Sequence, residues 1–360
     1  MILVGEMRPK ADDAPVAPQQ PGADAKVPRG VSGARVSAFV AAAVCSAVLA
    51  LPAGAGPGAT PGAGEVAIFY YPWYSTPARD GSWAHWYVER DGAPVLSTSF
   101  FPRRGLYSSS NTKIVAAQMR EIAAAGVDTV VVSWWGYGSA EHDRLALVVQ
   151  AAQRHDLAIA IHVEPYAGRT PAKAAEDISR LGDEGYADFY VYDPDRFSAT
   201  AWSEALAGLS GVRIFAETPL VGWAKNAGFD GVYTYEIRAW TGSTFARTCT
   251  QAHNAGLLCA PSVGPGYDAR LATGDASIRP RLAGATYDRM WKTAMRAKAD
   301  LITITSYNEW QEGTQIEPAR IQVGRPAYDG AWGKRGVAAQ RAYLDATARW
   351  VARFRALSRQ

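Results

Sequence analysis

Histidine and cysteine are scarce in this chain of 360 residues, with five of the first and three of the second. No CxxC pair and no Cys/His cluster occurs, so a structural zinc site has no ligand spacing to rest on. A GxSxG nucleophile elbow is absent, and so are a P-loop and a GxGxxG after the first expected strand. Gly264-Pro265-Gly266 is a rigid turn that binds no phosphate by itself. Charge of one sign is lacking too. Lys and Arg number 37 against 34 Asp and Glu, a net of +3 without any basic run, so nucleic acid finds no electrostatic footprint. Disorder over most of the length is excluded by 48% hydrophobic and 20% charged residues.

Long hydrophobic runs are missing as well, with one exception at residues 36–51, preceded by Arg29 and Arg35. This run is shorter than the roughly 20 residues that a membrane span needs. Ala53-Gly54-Ala55 follows with the small-x-small pattern of a cleavage site, which makes the front end a secretory signal. The expected organisation is a targeting segment over 1–55, a Gly/Pro-rich linker over 56–64 and one folded domain over 65–360. The product is then a secreted, extracellular chain with no membrane span in its mature part. An uncleaved anchor through residues 36–51 is the competing reading. Only Cys249 and Cys259 remain after cleavage; export permits a disulfide between them, and two unpaired buried thiols are the alternative.

Aromatic residues are abundant, with 12 Trp and 17 Tyr. Many cluster in short loops: Tyr70, Tyr71, Trp73 and Tyr74, then Trp83, Trp86 and Tyr87, then Trp134, Trp135 and Tyr137. Each ring serves core packing or, equally, carbohydrate, whose C–H face stacks on a ring while the Tyr hydroxyl or Trp N–H bonds a sugar hydroxyl.

Eight short β-branched or aromatic runs are expected as strands: 66–71, 128–134, 158–163, 188–192, 212–216, 231–235, 256–260 and 301–305. Amphipathic stretches lie between them, at 114–125, 141–155, 172–184, 201–209, 243–254 and 287–299, and a last helix is expected over 336–356. Apolar strands alternating with helices call for a parallel sheet covered on both faces, and the count fits a single (β/α)8 TIM barrel with extended βα loops. The connection over 72–110 is long for a barrel loop, and its aromatic content marks it as functional.

Barrel active sites sit at the C-terminal ends of strands. There the chain carries Tyr71-Pro72-Trp73-Tyr74, Ser133-Trp134-Trp135, His162-Val163-Glu164, Tyr192-Asp193, Glu217, Tyr235-Glu236 and Asn308-Glu309-Trp310-Gln311-Glu312. Two carboxylates three apart suit glycoside hydrolysis, which needs one protonated acid and one ionised carboxylate. Apolar cover from Trp310 is expected to raise one carboxyl, with Asn308 or a nearby N–H keeping the other ionised. An acidic surface turn is the plainer reading of the same spacing. Glu164 is a third candidate carboxylate, and His162 beside it reads as a packed histidine rather than half of a metal pair.

Four segments carry a family resemblance: residues 69–74 (FYYPWY), 131–135 (VVSWW), 261–267 (PSVGPGY) and 306–317 (SYNEWQEGTQIE). They resemble glycoside hydrolase family 99, the endo-α-mannosidase and endo-α-1,2-mannanase family, in order from about Val66 to near Ala319. The resemblance implies a retaining, endo-acting α-mannoside hydrolase on a (β/α)8 barrel, working without metal or organic cofactor. It implies that Glu309 acts as base on the sugar's own 2-hydroxyl, through a 1,2-anhydro sugar, and that Glu312 protonates the leaving oxygen and later activates water. Tyr71 or Tyr74, Glu164, Tyr192 and Tyr235 would line the sugar site, with Asn308 steadying the glutamates. Trp135 and Glu164 resemble the bacterial pattern, which implies mannose at the non-reducing side. The partner implied is α-mannan or a mannose-containing oligosaccharide, met by a monomer. Gln311 departs from the family's common His, and the segment 268–281 departs from its pattern. A carbohydrate-binding or polysaccharide-assembly domain without turnover is the second expectation.

Overall fold

The computed structural model describes residue 62 and residues 64–359. The expected signal and nearly all of the expected linker, residues 1–61 and 63, lie outside the described residues.

Eight parallel strands close a barrel among the described residues: Val66–Tyr70, Thr129–Trp134, Ala158–Val163, Asp188–Val191, Arg213–Glu217, Gly231–Thr234, Leu258–Val263 and Ile302–Ile304. Each strand pairs with the next in the chain, and the first closes on the eighth with Val66 opposite Ile302 and on the second with Ala67 opposite Thr129. A (β/α)8 barrel is therefore the fold, with a helix after every strand.

Local chemistry sets the helix starts. Asn111, Ser139, Thr170 and Ser198 stand at the N-caps of Thr112–Ala124, Ala140–Gln153, Pro171–Asp183 and Ala199–Leu206, each accepting a first-turn backbone N–H. Pro171 occupies the first turn, where its missing N–H costs nothing. The remaining α-helices among the described residues are the short Pro77–Asp80, then Val221–Asn226, Phe245–Asn254, Ala285–Arg296 and Ala342–Ser358.

Three differences from the sequence reading have physical reasons. The seventh strand runs to Val263 rather than stopping before Pro261, because Ser262 and Val263 pair with Thr303 and Ile304 of the eighth strand. The helix Val221–Asn226 was not expected, since six residues are too few to show periodicity. The last helix begins at Ala342, the stretch Gly336–Arg341 before it being a tighter 3-10 turn.

The long connection after the first strand contains an antiparallel pair, Tyr87–Arg90 with Ala93–Leu96. A second small pair, Tyr267–Asp268 with Ile278–Arg279, follows the seventh strand. Cys249 and Cys259 form a disulfide that ties the helix Phe245–Asn254 to that strand.

The barrel interior is aromatic. Phe69 lies 4.7 Å from His162, 5.8 Å from Tyr190, 5.7 Å from Tyr233 and 4.9 Å from Tyr235, ring centre to ring centre. Gly231 leaves room for the Phe215 ring, which a Cβ there would meet at 2.5 Å. No helix among the described residues is long and apolar enough to cross a membrane.

Candidate active site

The aromatic interior is the floor of a cleft of about 430 Å³ at the C-terminal end of the strands. Tyr71, Trp135, Glu164, Tyr192, Tyr235, Glu309 and Glu312 line it, together with Trp73, His162 and Pro165, so seven of the nine expected site residues meet there. The other two, Tyr74 and Asn308, are fully buried behind it.

Glu309 and Glu312 stand on a loop that leaves the eighth strand and folds back on itself. Ser306 N donates to Thr314 O at 3.1 Å, and Glu317 N to Tyr307 O at 2.8 Å, which closes the loop's base. Glu309 N donates to Ser306 Oγ at 2.8 Å. The Glu309 carboxylate accepts a hydrogen bond from the Tyr235 hydroxyl, which in turn contacts the Tyr71 hydroxyl. A relay from the first strand's end through the sixth thus reaches Glu309. Burial holds both phenols well above their ordinary range, so they remain donors at any working pH.

The two glutamates stand three residues apart on one loop, and both line the cleft. Burial over the aromatic floor raises both carboxyls. For Glu309, donation by Tyr235 works against that rise. For Glu312, the charges of Glu309 and Glu236 add to it, with only Arg238 opposing. Glu309 is pushed up to about 8, and Glu312, with a like charge beside it and no phenol among the described residues donating to it, is held well above the usual carboxylate range.

The third carboxylate, Glu164, accepts from Ser133 Oγ at 2.8 Å, and Ser133 Oγ also accepts from Trp135 Nε1 at 3.2 Å. His162 Nδ1 lies 2.9 Å from Glu164, out of line for a hydrogen bond, while its Nε2 meets the Tyr233 hydroxyl at 2.8 Å. Tyr192 donates to Glu236 at 2.5 Å. Glu217, whose Oε1 accepts from Tyr235 N at 3.3 Å, is pushed up to about 8 by burial and by the charge of Glu236. Arg169 ties the ends of the third and fourth strands, donating to Val163 O at 3.1 Å, Tyr192 O at 2.7 Å and Asp193 O at 3.0 Å.

Two expected roles fall elsewhere. Trp310 gives the glutamates no apolar cover: its indole turns away and donates to Glu317 at 2.9 Å. Asn308 does not touch a carboxylate. Its amide clamps the Tyr71 backbone, accepting from N at 2.8 Å and donating to O at 2.9 Å, while Tyr74 donates to Asn308 O at 2.9 Å and accepts from Trp310 N at 3.0 Å. Both residues hold the loop rather than face the cleft. Trp73, Glu217 and Glu236, expected at strand ends but given no role in the sugar site, stand in or beside the cleft. Trp73 stacks on His85 at 4.4 Å, and His85 Nδ1 lies 3.4 Å from Gln311 Oε1, so the residue in place of the family's His meets a histidine from the long first loop. Among the described residues, no group of three or more His, Cys, Asp or Glu side chains is arranged to hold a metal ion.

Comparison with known proteins agrees with this geometry. The chain matches the family model described as Glycosyl hydrolase family 99 over residues 63–356. It is 31% identical over 322 residues to a glycoprotein endo-alpha-1,2-mannosidase-like protein of Danio rerio, covering 71% of each chain. To the glycoprotein endo-alpha-1,2-mannosidase of Mus musculus it is 29% identical over 318 residues, 70% of this chain and 67% of that one. Among solved structures, the GH99 endo-alpha-mannosidase from Bacteroides thetaiotaomicron superposes with a TM-score of 0.74 at 28% identity, over 82% of this chain and 99% of that one.

Proposed function

The chain belongs to glycosyl hydrolase family 99, and from that premise we propose that it is a retaining, endo-acting α-mannosidase that cleaves α-1,2-mannosidic linkages in mannan or glycan side chains. The observation that carries this reading is that Glu309 and Glu312, on one loop, both line an aromatic cleft at the C-terminal end of the barrel strands.

In this scheme Glu309, carrying the charge, takes the proton of the substrate's 2-hydroxyl. O2 attacks C1 as the bond from C1 to the leaving oxygen breaks, and Glu312 gives that oxygen its proton. The product of this step is a 1,2-anhydro sugar. Glu312, now ionised, takes a proton from water, whose oxygen attacks C1; the C1–O2 bond breaks and O2 recovers its proton from Glu309. Two inversions at C1 give net retention. Tyr235, backed by Tyr71, donates to Glu309 and favours its ionised form, and Trp135, Glu164 and Tyr192 line the space for the sugar. The reading extends to export, with residues 1–55 as the targeting segment.

The test is digestion of α-1,2-branched, α-1,6-backbone mannan, with Glu312→Gln as control. Release of a mannose-containing disaccharide of retained configuration, absent in the variant, is the expected result. Tight binding without release would replace the hydrolase by a binding domain.

A further inference from the structure

The scheme above requires Glu312 to stay at one distance from Glu309, yet the two limbs of their loop are held by different parts of the barrel. The Glu309 limb is fastened to the first strand's end through Asn308 and Tyr74. The Glu312 limb is fastened from the segment after the seventh strand. Asp268 N donates to Glu312 O at 2.7 Å. Arg281 Nη2 donates to both Gly313 O, at 2.9 Å, and Gln315 O, at 2.6 Å. Gly313 itself turns with φ +65°, and a Cβ there would meet Asp268 N at 3.1 Å, so this close approach needs glycine.

Arg281 is unusual in what surrounds it. Its guanidinium carbon lies 4.6 Å from the Phe100 ring centre, 4.9 Å from Tyr328 and 4.6 Å from Tyr343, three rings from three separate segments. Such a cage holds a cation through the ring faces and leaves the planar fork free to donate. Space filling alone asks for no charge here. One nitrogen of the guanidinium, Nη2, is spent instead on the carbonyls of Gly313 and Gln315, on either side of Thr314.

We propose that Arg281 is a positioning residue for Glu312: its caged guanidinium fixes the carbonyls of Gly313 and Gln315, and through them the placement of the Glu312 carboxyl against Glu309. This rests on the acid role given to Glu312 above. Arg281 lies in the segment 268–281 that departs from the family's pattern, so no motif pointed to it.

Arg281→Met keeps an apolar stem between the rings and removes the donors; Arg281→Lys keeps the charge and loses the fork. For the full chain, Tm, kcat, KM on the mannan and hydrogen exchange of the amides of 312–316 are measured together. The expected result is a folded Met variant whose kcat falls about tenfold to a hundredfold, the scale of a misplacement near 1 Å. KM should change little, exchange should quicken in 312–316, and the Lys variant should fall between Met and wild type. Wild-type kcat or unchanged exchange in a folded variant overturns the proposal, as does a loss that only tracks the folded fraction. If the Met variant does not fold, the Lys variant decides by the same criteria. A wild-type chain inert on mannan removes the hydrolase reading instead, and the exchange of 312–316 still decides whether Arg281 braces that limb.

Discussion

The two ends of the barrel differ in what their buried arginines chiefly hold. At the N-terminal end arginines neutralise carboxylates: Arg213 grips Asp188 with two bonds of 2.6 and 2.9 Å, and Arg355 pairs with Asp128. The aspartates there also accept strand backbone N–H groups, Asp128 from Val66 at 2.9 Å, Asp230 from Ile214 at 2.8 Å and Asp300 from Cys259 at 2.8 Å. At the C-terminal end some arginines also pair with carboxylates, as Arg104 does with Glu317 and Arg270 with Asp268, but three are given mainly to backbone carbonyls. Arg144 donates to Pro72 O at 2.8 Å, Arg169 to three strand-end carbonyls and Arg281 to the acid loop. Glu164, Glu217, Glu236, Glu309 and Glu312 have no Arg or Lys at ion-pair distance among the described residues. The same residue type thus chiefly satisfies charge at one end and shapes backbone around the cleft, where burial without an ion-pair partner raises Glu217, Glu309 and Glu312. Barrels commonly divide stability and chemistry between their ends in this way.

The largest break in that contrast comes from the cleft. Glu312→Gln and Glu309→Gln are each expected to lower kcat by about 10²- to 10⁴-fold, the range for a general acid or base, while Tm holds or rises because an uncompensated buried carboxyl is gone. A parallel fall in Tm would make them structural. Tyr235→Phe follows. Losing a hydrogen bond to a charged group, about 1.5–3 kcal/mol, should cost kcat roughly tenfold to a hundredfold. It also removes the donor that lowers Glu309's proton affinity, so the acid limb of the rate profile should move to higher pH; an unmoved limb separates Tyr235 from Glu309.

At the opposite end the expectation reverses. Asp188→Asn leaves Arg213 half-paired in a nearly buried setting and should cost on the order of 3 kcal/mol, lowering Tm by several degrees with kcat and KM unchanged at moderate temperature. The smallest effect is a slope. Glu217 is raised from 4.5 to about 8 in the folded chain, so its contribution to stability is present below about 4.5 and lost as pH rises through about 8. Glu217→Gln should flatten the decline of Tm between those values, and identical slopes for variant and wild type would reject the assignment.

All eight strands were legible because each is a short apolar run between cappable helices, and such runs depend on neighbours in the chain. The strand-end glutamates and tyrosines were legible for the same reason once the barrel was assumed. What stayed hidden depends on contacts far apart in sequence. Trp310 reads as cover for its neighbours, yet its indole is claimed by Glu317, a buried carboxylate that also accepts from Tyr107 at 2.7 Å and Gln118 at 2.9 Å. Asn308 reads as a partner for carboxylates, and barrel closure delivers it to Tyr71, 237 residues earlier. Arg281 sits in a stretch with no periodicity at all, and its cage exists only after three distant segments converge.

That convergence also sets an order of events during synthesis. Phe100 leaves the ribosome early, Arg281 much later, and Tyr343 later still, on the helix Ala342–Ser358 whose Arg355 reaches back to Asp128. A nascent chain released from the ribosome's exit tunnel only as far as residue 330 would own both glutamates and the cleft's rings, but the cage around Arg281 would be missing one wall, Tyr343. On the roles proposed for Glu309, Glu312 and Arg281, competence for turnover would arrive only when the final helix docks.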